Sequence, residues 1–283
     1  LSEDNINHII LILLDGLGSS ILDYHLKEND FLKKNKKKDI FSVIPTTTVA
    51  ATTTVMSGMN PIEHGWIGWD VYFKDINKIV TLFTNKLKDS EEDAEKYNVA
   101  KTKLDYTNIF ELIGNKNKDV YIEKIFPFGE NKYNSFKEAM ERVKYICENH
   151  KKSFSYVYCN NPDEIMHKTG TRSTETHEVI NELNDNIELL SKNINNSTII
   201  VIADHGHIDS NPIYLTDYPQ LLDTLRMDIS IESRACAFFV KEDKKEEFKK
   251  IFNRNFSNDF ILYDKDEIIR KKVFGDGKEN KYF

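Results

Sequence analysis

Two apolar patterns alternate along this chain. Short unbroken runs rich in β-branched residues are separated by longer stretches whose apolar positions recur at helical spacing. The runs Ile9–Leu14, Ile40–Val43, Val120–Glu123, Phe154–Tyr158 and Ile199–Ala203 read as strands buried on both faces. Helical stretches follow at Ser19–Leu26, Val49–Ser57, Asn108–Ile113, Ser135–Asn149 and Ser173–Asn193; the last carries Val179, Ile180, Leu183, Ile187 and Leu190 on one face. Strands alternating with helices predict an α/β fold: a three-layer, doubly wound and mostly parallel sheet covered on both sides. Two charge runs, Lys33–Lys38 and Asp89–Tyr97, read as solvated surface.

Beyond His207 the pattern changes. Arg234–Val240 reads as a strand, Lys244–Asn253 as a helix, Phe260–Tyr263 as a strand and Asp266–Lys271 as a short helix. The expected organisation is a catalytic core over 1–210, a small α+β cap or insertion over 211–275, and a return toward the core over 276–283, with the chain ending before a closing strand.

Composition narrows the function classes. The 283 residues carry a net charge of −7, which argues against a nucleic-acid polymer as partner, because such binding needs a net basic face. A phosphate-bearing small molecule stays open, since a bound divalent ion reverses the local sign. The cysteines Cys147, Cys159 and Cys236 show no CxxC spacing, so no disulfide framework is expected. No apolar run approaches the roughly 20 residues that span a bilayer. A cytoplasmic location is the default, and a start at Leu1 without Met leaves room for a removed leader. Oligomeric state is not legible.

Metal-type ligands sit where strands end. Asp15 follows an apolar run and precedes Gly16; Asp204-His205-Gly206 follows a second run in the same way. Each alone reads as readily as a structural turn, yet an adjacent carboxylate and imidazole beside a core is costly unless it has a task. Asp163 and His167 stand at i and i+4 after Pro162, on one face if the segment turns helical there, a common way to hold a divalent ion. In parallel-stranded sheets such strand ends converge on one edge, where ligands bind. Thr48 falls at the predicted start of a helix, where a threonine is usually a cap. The same place favours a phosphate and, beside a metal that lowers its pKa, makes the hydroxyl a nucleophile.

This order of motifs is similar to the alkaline phosphatase superfamily, and within it resembles the type I phosphodiesterase/nucleotide pyrophosphatase family. The resemblance is carried by LLDGLG (Leu13–Gly18), by Pro45-Thr46-Thr47-Thr48 through Gly58 and Pro61 to His64-Gly65, by NPDEIMH (Asn161–His167) and by IADHG (Ile202–Gly206). It implies an alkaline phosphatase-like fold and a metal-dependent hydrolase of phosphate esters. Thr48 would attack phosphorus and form a phospho-threonine intermediate. Asp15, Thr48, Asp204 and His205 would hold one divalent ion, and Asp163 and His167 a second, with zinc the first expectation and manganese the second. The expected partner is a small-molecule phosphate ester.

Two departures stand out. The resemblance implies a later histidine that completes the second ion site, and no histidine follows His207 here; the first expectation is a chain that ends before that segment, the others a substitution by His207 or water, or a weak second site. Where nucleotide pyrophosphatases often place an asparagine three residues beyond the nucleophile, this chain has Ala51, then Thr52. Thr52, Trp66, Trp69 and His207 are the candidate substrate contacts, the two tryptophans as stacking surfaces, although such residues more often pack a loop against the domain. His64 is expected to orient its loop rather than bind metal, and His8, His25, His150 and His177 read as surface or strand-edge residues. Phosphomonoesterase, phosphonate hydrolase and phosphomutase activities of the same superfamily are alternatives, as is a non-catalytic ligand-binding member.

Overall fold

The computed structural model describes residues 6–283. Its elements run β1 (His8–Leu14), α1 (Ser19–His25), α2 (Phe31–Asn35), α3 (Thr48–Ser57) and α4 (Pro61–His64). Three strands follow, β2 (Asp70–Phe73), β3 (Lys78–Thr81) and β4 (Lys86–Leu87), then α5 (Val99–Lys103) and α6 (Ile109–Lys116). Next come β5 (Tyr121–Ile125), α7 (Phe136–Asn149), β6 (Ser153–Cys159), α8 (Asp163–Thr169), α9 (Thr174–Asn193) and β7 (Ser197–Ile202). The last part holds α10 (Pro219–Leu222), β8 (Ser230–Glu232), β9 (Ala235–Ala237), α11 (Lys245–Phe256) and α12 (Lys265–Arg270). No helix among the described residues is long and apolar enough to cross a membrane.

Two compact units emerge: Leu1–Ser42 with Thr107–Asp209, and Val43–Tyr106 with Ser210–Phe283. The first is built on a parallel sheet of order β5-β6-β1-β7. Alternate residues of the central strands, Ile10, Ile12 and Leu14 of β1 and Val157 and Cys159 of β6, join one buried cluster with Val143 of α7 and Ile180, Leu183 and Ile187 of α9. On the other face Phe110 of α6 packs on Phe154 and Tyr156, with ring centroids 5.9 and 5.8 Å apart. Helices thus cover both faces, as the run-and-period pattern predicts. The register pairs Leu14 with Cys159 and Leu13 with Ile202, so β1, β6 and β7 finish together. Whatever follows those three strands is delivered to one edge.

Several expected details differ. Ile40–Val43 is not a strand: Phe41 is fully exposed at 103%, and Ser42 donates its hydroxyl to the Asp204 carbonyl instead of joining a ladder. An apolar run without a neighbouring strand has nowhere to place its backbone groups except local contacts and water. β7 is apolar but lies at the sheet edge, leaving Ile200 46% and Val201 36% exposed. His8 and His25 are buried rather than superficial, bonding the Ser153 hydroxyl at 2.9 Å and the Thr171 carbonyl at 2.8 Å.

The second unit holds an antiparallel sheet of order β4-β3-β2-β8-β9. Segment 211–275 therefore supplies β8 and β9 to a sheet that β2–β4 begin, joined where Asp70 pairs with Ile231. The long strand expected over Arg234–Val240 shrinks to β9, and Phe260–Tyr263 forms no strand, with Ile261 in solvent. The β2–β3 hairpin went unread although DVYF and KIVT flank a polar turn, because both strands are short and edged with charge. The start of α4 was legible in NPIE, where Asn60 and Glu63 form a reciprocal capping box with Pro61 at the first helical position.

His64, at the end of α4, is an internal brace of this unit. Its Nδ1 accepts the Trp66 backbone N–H at 3.0 Å, so Nε2 carries the proton and donates to the Thr54 hydroxyl at 3.1 Å. Burial pulls its pKa down to about 4. The unfolded chain protonates near 6.5, so His64 contributes stability that is complete above that pH and drains away as pH falls through 4. Across that window the loss is up to roughly 3 kcal/mol. The variant His64→Gln, neutral at every pH, should flatten the decline of urea-unfolding free energy between pH 6.5 and 4. A decline as steep as in the parent would show that His64 is not the titrating group.

Candidate metal centre

Asp15 directly follows β1 and Asp204 lies two residues beyond β7, so the shared strand ends deliver both to the same edge. Asp15 continues the parallel ladder, its N–H donating to the Cys159 carbonyl at 2.9 Å. Asp204 Oδ1 accepts the Gly16 N–H at 3.1 Å and the His205 N–H at 2.9 Å, which fixes the carboxylate plane. His205 Nδ1 lies 2.8 Å from the Gly206 carbonyl. A carbonyl only accepts, so Nδ1 bears a hydrogen, and the neutral ring then offers the Nε2 lone pair to a cation. That Nε2 lies 3.3 Å from Asp15 Oδ1 and 3.6 Å from Asp204 Oδ2.

The electrostatics of this trio call for a cation. Asp15 and Asp204 are 2% and 3% exposed. Burial first, and then the Asp204 charge, push the Asp15 carboxyl well above the ordinary carboxylate range, against the Tyr158 hydroxyl that donates to Asp15 Oδ2 at 2.5 Å. Burial likewise raises Asp204, against the pull of the neighbouring His205 and of the amides that bond its carboxylate. A lone pair aimed at two carboxylate oxygens is unfavourable unless positive charge lies between them. Ligands bound at about 2.0–2.2 Å around a tetrahedral ion stand roughly 3.3–3.6 Å apart, and the observed separations fall in that interval. The residues fit a divalent metal.

A second trio lies in the same unit. α8 begins at Asp163, as its position after Pro162 predicts, and places His167 one turn later with Nε2 3.4 Å from Asp163 Oδ2. His207 approaches the other oxygen, Nδ1 to Oδ1 at 3.6 Å. The potential ligand atoms of Asp163, His167 and His207 all lie within 4.8 Å of one another, as do those of Asp15, Asp204 and His205.

Glycine makes this crowding feasible. Gly16 has φ +75°, and a Cβ there would stand 2.9 Å from the Asp163 Cβ, so the bare backbone lets α8 start against Asp15, whose carbonyl accepts the Asp163 N–H at 3.0 Å. Gly18 serves the Asp204-His205-Gly206 turn: a Cβ on it would meet the Gly206 Cα at 2.5 Å. Neither role was anticipated, although the DGLG sequence after a strand carries the signal. Tyr158 and Ser42 were also missed. Tyr158 was hidden in an apolar strand, and Ser42 reaches Asp204 by a contact distant in sequence.

The remaining candidates belong to the second unit. Thr48 is buried and is the first residue of α3, next to the cap residue Thr47. Thr52 donates its only hydroxyl hydrogen to the Thr48 carbonyl at 2.6 Å, so that hydrogen is turned along the helix rather than outward. Trp66 is a core residue, 8% exposed, with its indole N–H on the Leu104 carbonyl, while Trp69 keeps 41% exposure and meets Phe83 edge-on. Of the two, Trp69 retains the exposed ring a flat ligand needs. Gly18→Ala should destabilise the protein by about 1–3 kcal/mol through overpacking against Gly206 and should also weaken divalent-ion binding. Urea unfolding and calorimetric titration read both effects, and a parental midpoint would show that the contact yields freely.

A family model described as type I phosphodiesterase / nucleotide pyrophosphatase matches residues 9–278. Among solved structures, murine ectonucleotide pyrophosphatase/phosphodiesterase 5, as an inactive threonine-to-alanine variant in complex with AMP, is similar at TM-score 0.65 and 19% identity, covering 98% of this chain and 77% of that one. A second structure of the murine protein gives 0.64 and 20%, over 97% and 77%. Human ectonucleotide pyrophosphatase/phosphodiesterase 5 gives 0.65 and 18%, over 97% and 76%. Comparison with curated protein sequences gives no match. An α/β architecture with an alkaline phosphatase-like parallel sheet, a separate antiparallel sheet and a family match along nearly the whole chain make this protein a member of the type I phosphodiesterase/nucleotide pyrophosphatase family.

Proposed function

We propose that the protein hydrolyses phosphate esters, with nucleotide-type phosphodiesters and pyrophosphates as the preferred class, through Thr48 as nucleophile and two bound divalent cations. The observation that carries this reading is the Asp15, Asp204 and His205 trio, an assembly of buried anions around an imidazole lone pair inside a phosphodiesterase-family chain. Asp15, Asp204 and His205 would hold one ion, and Asp163 and His167 the other. Mixed carboxylate and imidazole donors favour zinc first and manganese second. Bound there, the cations would lower the pKa of a hydroxyl and neutralise charge on phosphoryl oxygens.

The protein's own groups supply the rest. Thr48 opens α3, and the N-terminal turn of a helix is a place that suits phosphoryl oxygens. The Thr48 Oγ1 forms a bond to phosphorus while the ester oxygen departs with the bonding pair and takes up a proton. Water then adds to the phospho-threonine, releases the phosphate product and returns a proton to Thr48. The AMP bound by the murine neighbour supports a nucleotide as substrate or product here, and exposed Trp69 offers a surface on which a base could stack. Ala51 stands where the resemblance expects asparagine, so the grip on the phosphoryl group falls to other donors, chiefly backbone.

A zinc-loaded assay over phosphodiesters, pyrophosphates, phosphomonoesters and phosphonates tests the proposal. The expected result is preferential hydrolysis of diesters and pyrophosphates. Thr48→Ala should lower kcat on the order of 10³-fold or more while leaving most metal affinity in place. Turnover near the parental rate in that variant would remove Thr48 as nucleophile. Hydrolysis confined to monoesters would move the protein to a phosphomonoesterase role, and hydrolysis of none would favour a binding role.

A further inference from the structure

We propose that the exposed stretch from Lys34 to Phe41 is a docking surface for an anionic lipid bilayer, in which lysines meet the headgroups while Phe41 and Ile40 enter the interface. Lys33 to Lys38 contains five lysines, in a chain whose net charge is −7. Two of the five have internal partners. Lys33 Nζ donates to the Asp23 and Leu26 carbonyls at 3.0 and 3.1 Å and pairs with Glu28 at 3.0 Å. Lys36 Nζ bridges Asp23 at 3.0 Å and Asp39 at 2.8 Å. Lys34, Lys37 and Lys38 are exposed and form no ion pair among the described residues. Three ammonium groups thus face water just before Ile40, which is 56% exposed, and Phe41, whose whole surface meets solvent.

Single exposed apolar residues are ordinary; the setting of this pair is not. Its segment is pinned on both sides. Upstream, Lys36 holds Asp23 and Asp39, and Asp39 also accepts the Ser19 hydroxyl. Downstream, Ser42 donates its hydroxyl to the Asp204 carbonyl. Ile40 and Phe41 lie between these pins outside any strand, so the pair is held out in solvent on a restrained backbone, with less freedom left to lose on burial. Three residues of chain take Lys38 to Phe41, a span of at most about 11 Å. A ring at headgroup depth therefore brings lysine charge within roughly one Debye length of the lipid phosphates. Basic side chains beside an apolar anchor are two weak signals that together hold a protein on a bilayer when neither suffices alone. An acidic polymer would draw on the lysines only; the apolar pair adds area that lipid accepts, and Ile40 offers no face for a base to stack on. The surface contains none of the metal-centre residues and does not depend on the hydrolysis proposed above.

Co-sedimentation of the full chain with vesicles of roughly 3:1 phosphatidylcholine to phosphatidylserine, against phosphatidylcholine alone, tests the surface. The parent should partition to the anionic vesicles, far less to the neutral ones, and more weakly as salt rises. Lys34→Gln, Lys37→Gln and Lys38→Gln combined should weaken partitioning about a hundredfold, at about fivefold per lysine. Phe41→Ser alone should weaken it about tenfold. Both changes fall on exposed side chains, and parental circular dichroism and urea midpoints should accompany them. In Phe41→Trp the introduced indole should be quenched by brominated lipid, measured against the emission of Trp66 and Trp69 in the parent. Should either binding variant lose its fold, this quenching decides by itself. A parent that stays in the supernatant with anionic vesicles would overturn the proposal. Parental binding by Phe41→Ser would also overturn it and leave a general polyanion patch, as would parental binding by the triple lysine variant or an introduced indole that brominated lipid leaves unquenched.

Discussion

Two carboxylates, Asp15 and Asp204, lie almost fully buried beside each other where the central strands of a parallel sheet end, and the local structure is organised around the cost of that arrangement. Removing two like charges from water is expensive, and their mutual repulsion adds to it. The protein offsets part of the cost with donors: the Gly16 and His205 amides on Asp204 and the Tyr158 hydroxyl on Asp15. These do not balance the charge, and both carboxyls are pushed toward their protonated forms. A divalent cation restores the balance directly. The fixed tautomer of His205 then becomes intelligible, since its lone pair is aimed at the same point as the two carboxylates.

Precision of this kind needs a rigid mount. β1, β6 and β7 share one register; past β1 the Asp15 N–H bonds the Cys159 carbonyl, and past β7 Asp204 is held by the Ser42 hydroxyl on its carbonyl and the Gly16 N–H on its carboxylate. The Asp163 N–H on the Asp15 carbonyl couples the start of α8 to the end of β1, so the two ligand trios are linked through one peptide contact. Gly16 and Gly18 permit the close approach of backbone to backbone that this requires. Rotation of any one side chain by an ångström would open the ligand separations beyond what a single ion can bridge.

Much of this was legible in the sequence. Apolar runs that stop at Asp15 and Ala203, and a proline that stops a strand before Asp163, encode both the parallel sheet and the side chains it delivers to one edge. The i, i+4 spacing of Asp163 and His167 encodes one helical face. What escaped was non-local or weakly patterned. The partners of Asp204 in Ser42 and Gly16, and of Asp15 in Tyr158, come from distant positions whose residue types carry no signature. The antiparallel sheet was missed because its strands are short and polar-edged, so that pairing across Asp70 and Ile231 decides the structure rather than local periodicity. Ile40–Val43 shows the opposite error: an apolar run without a partner strand stays irregular. A tryptophan beside glycines more often packs a loop than stacks a ligand, and burial assigns Trp66 to the core.

Anomalous diffraction at the zinc edge from zinc-loaded crystals tests the central claim most directly. A peak within about 2.0–2.2 Å of Asp15, Asp204 and His205 Nε2, with the neighbouring carboxylates drawn onto it, is the predicted result. Refined coordinates that leave this trio without an ion at saturating zinc, the carboxyl pair instead sharing a proton, would contradict it.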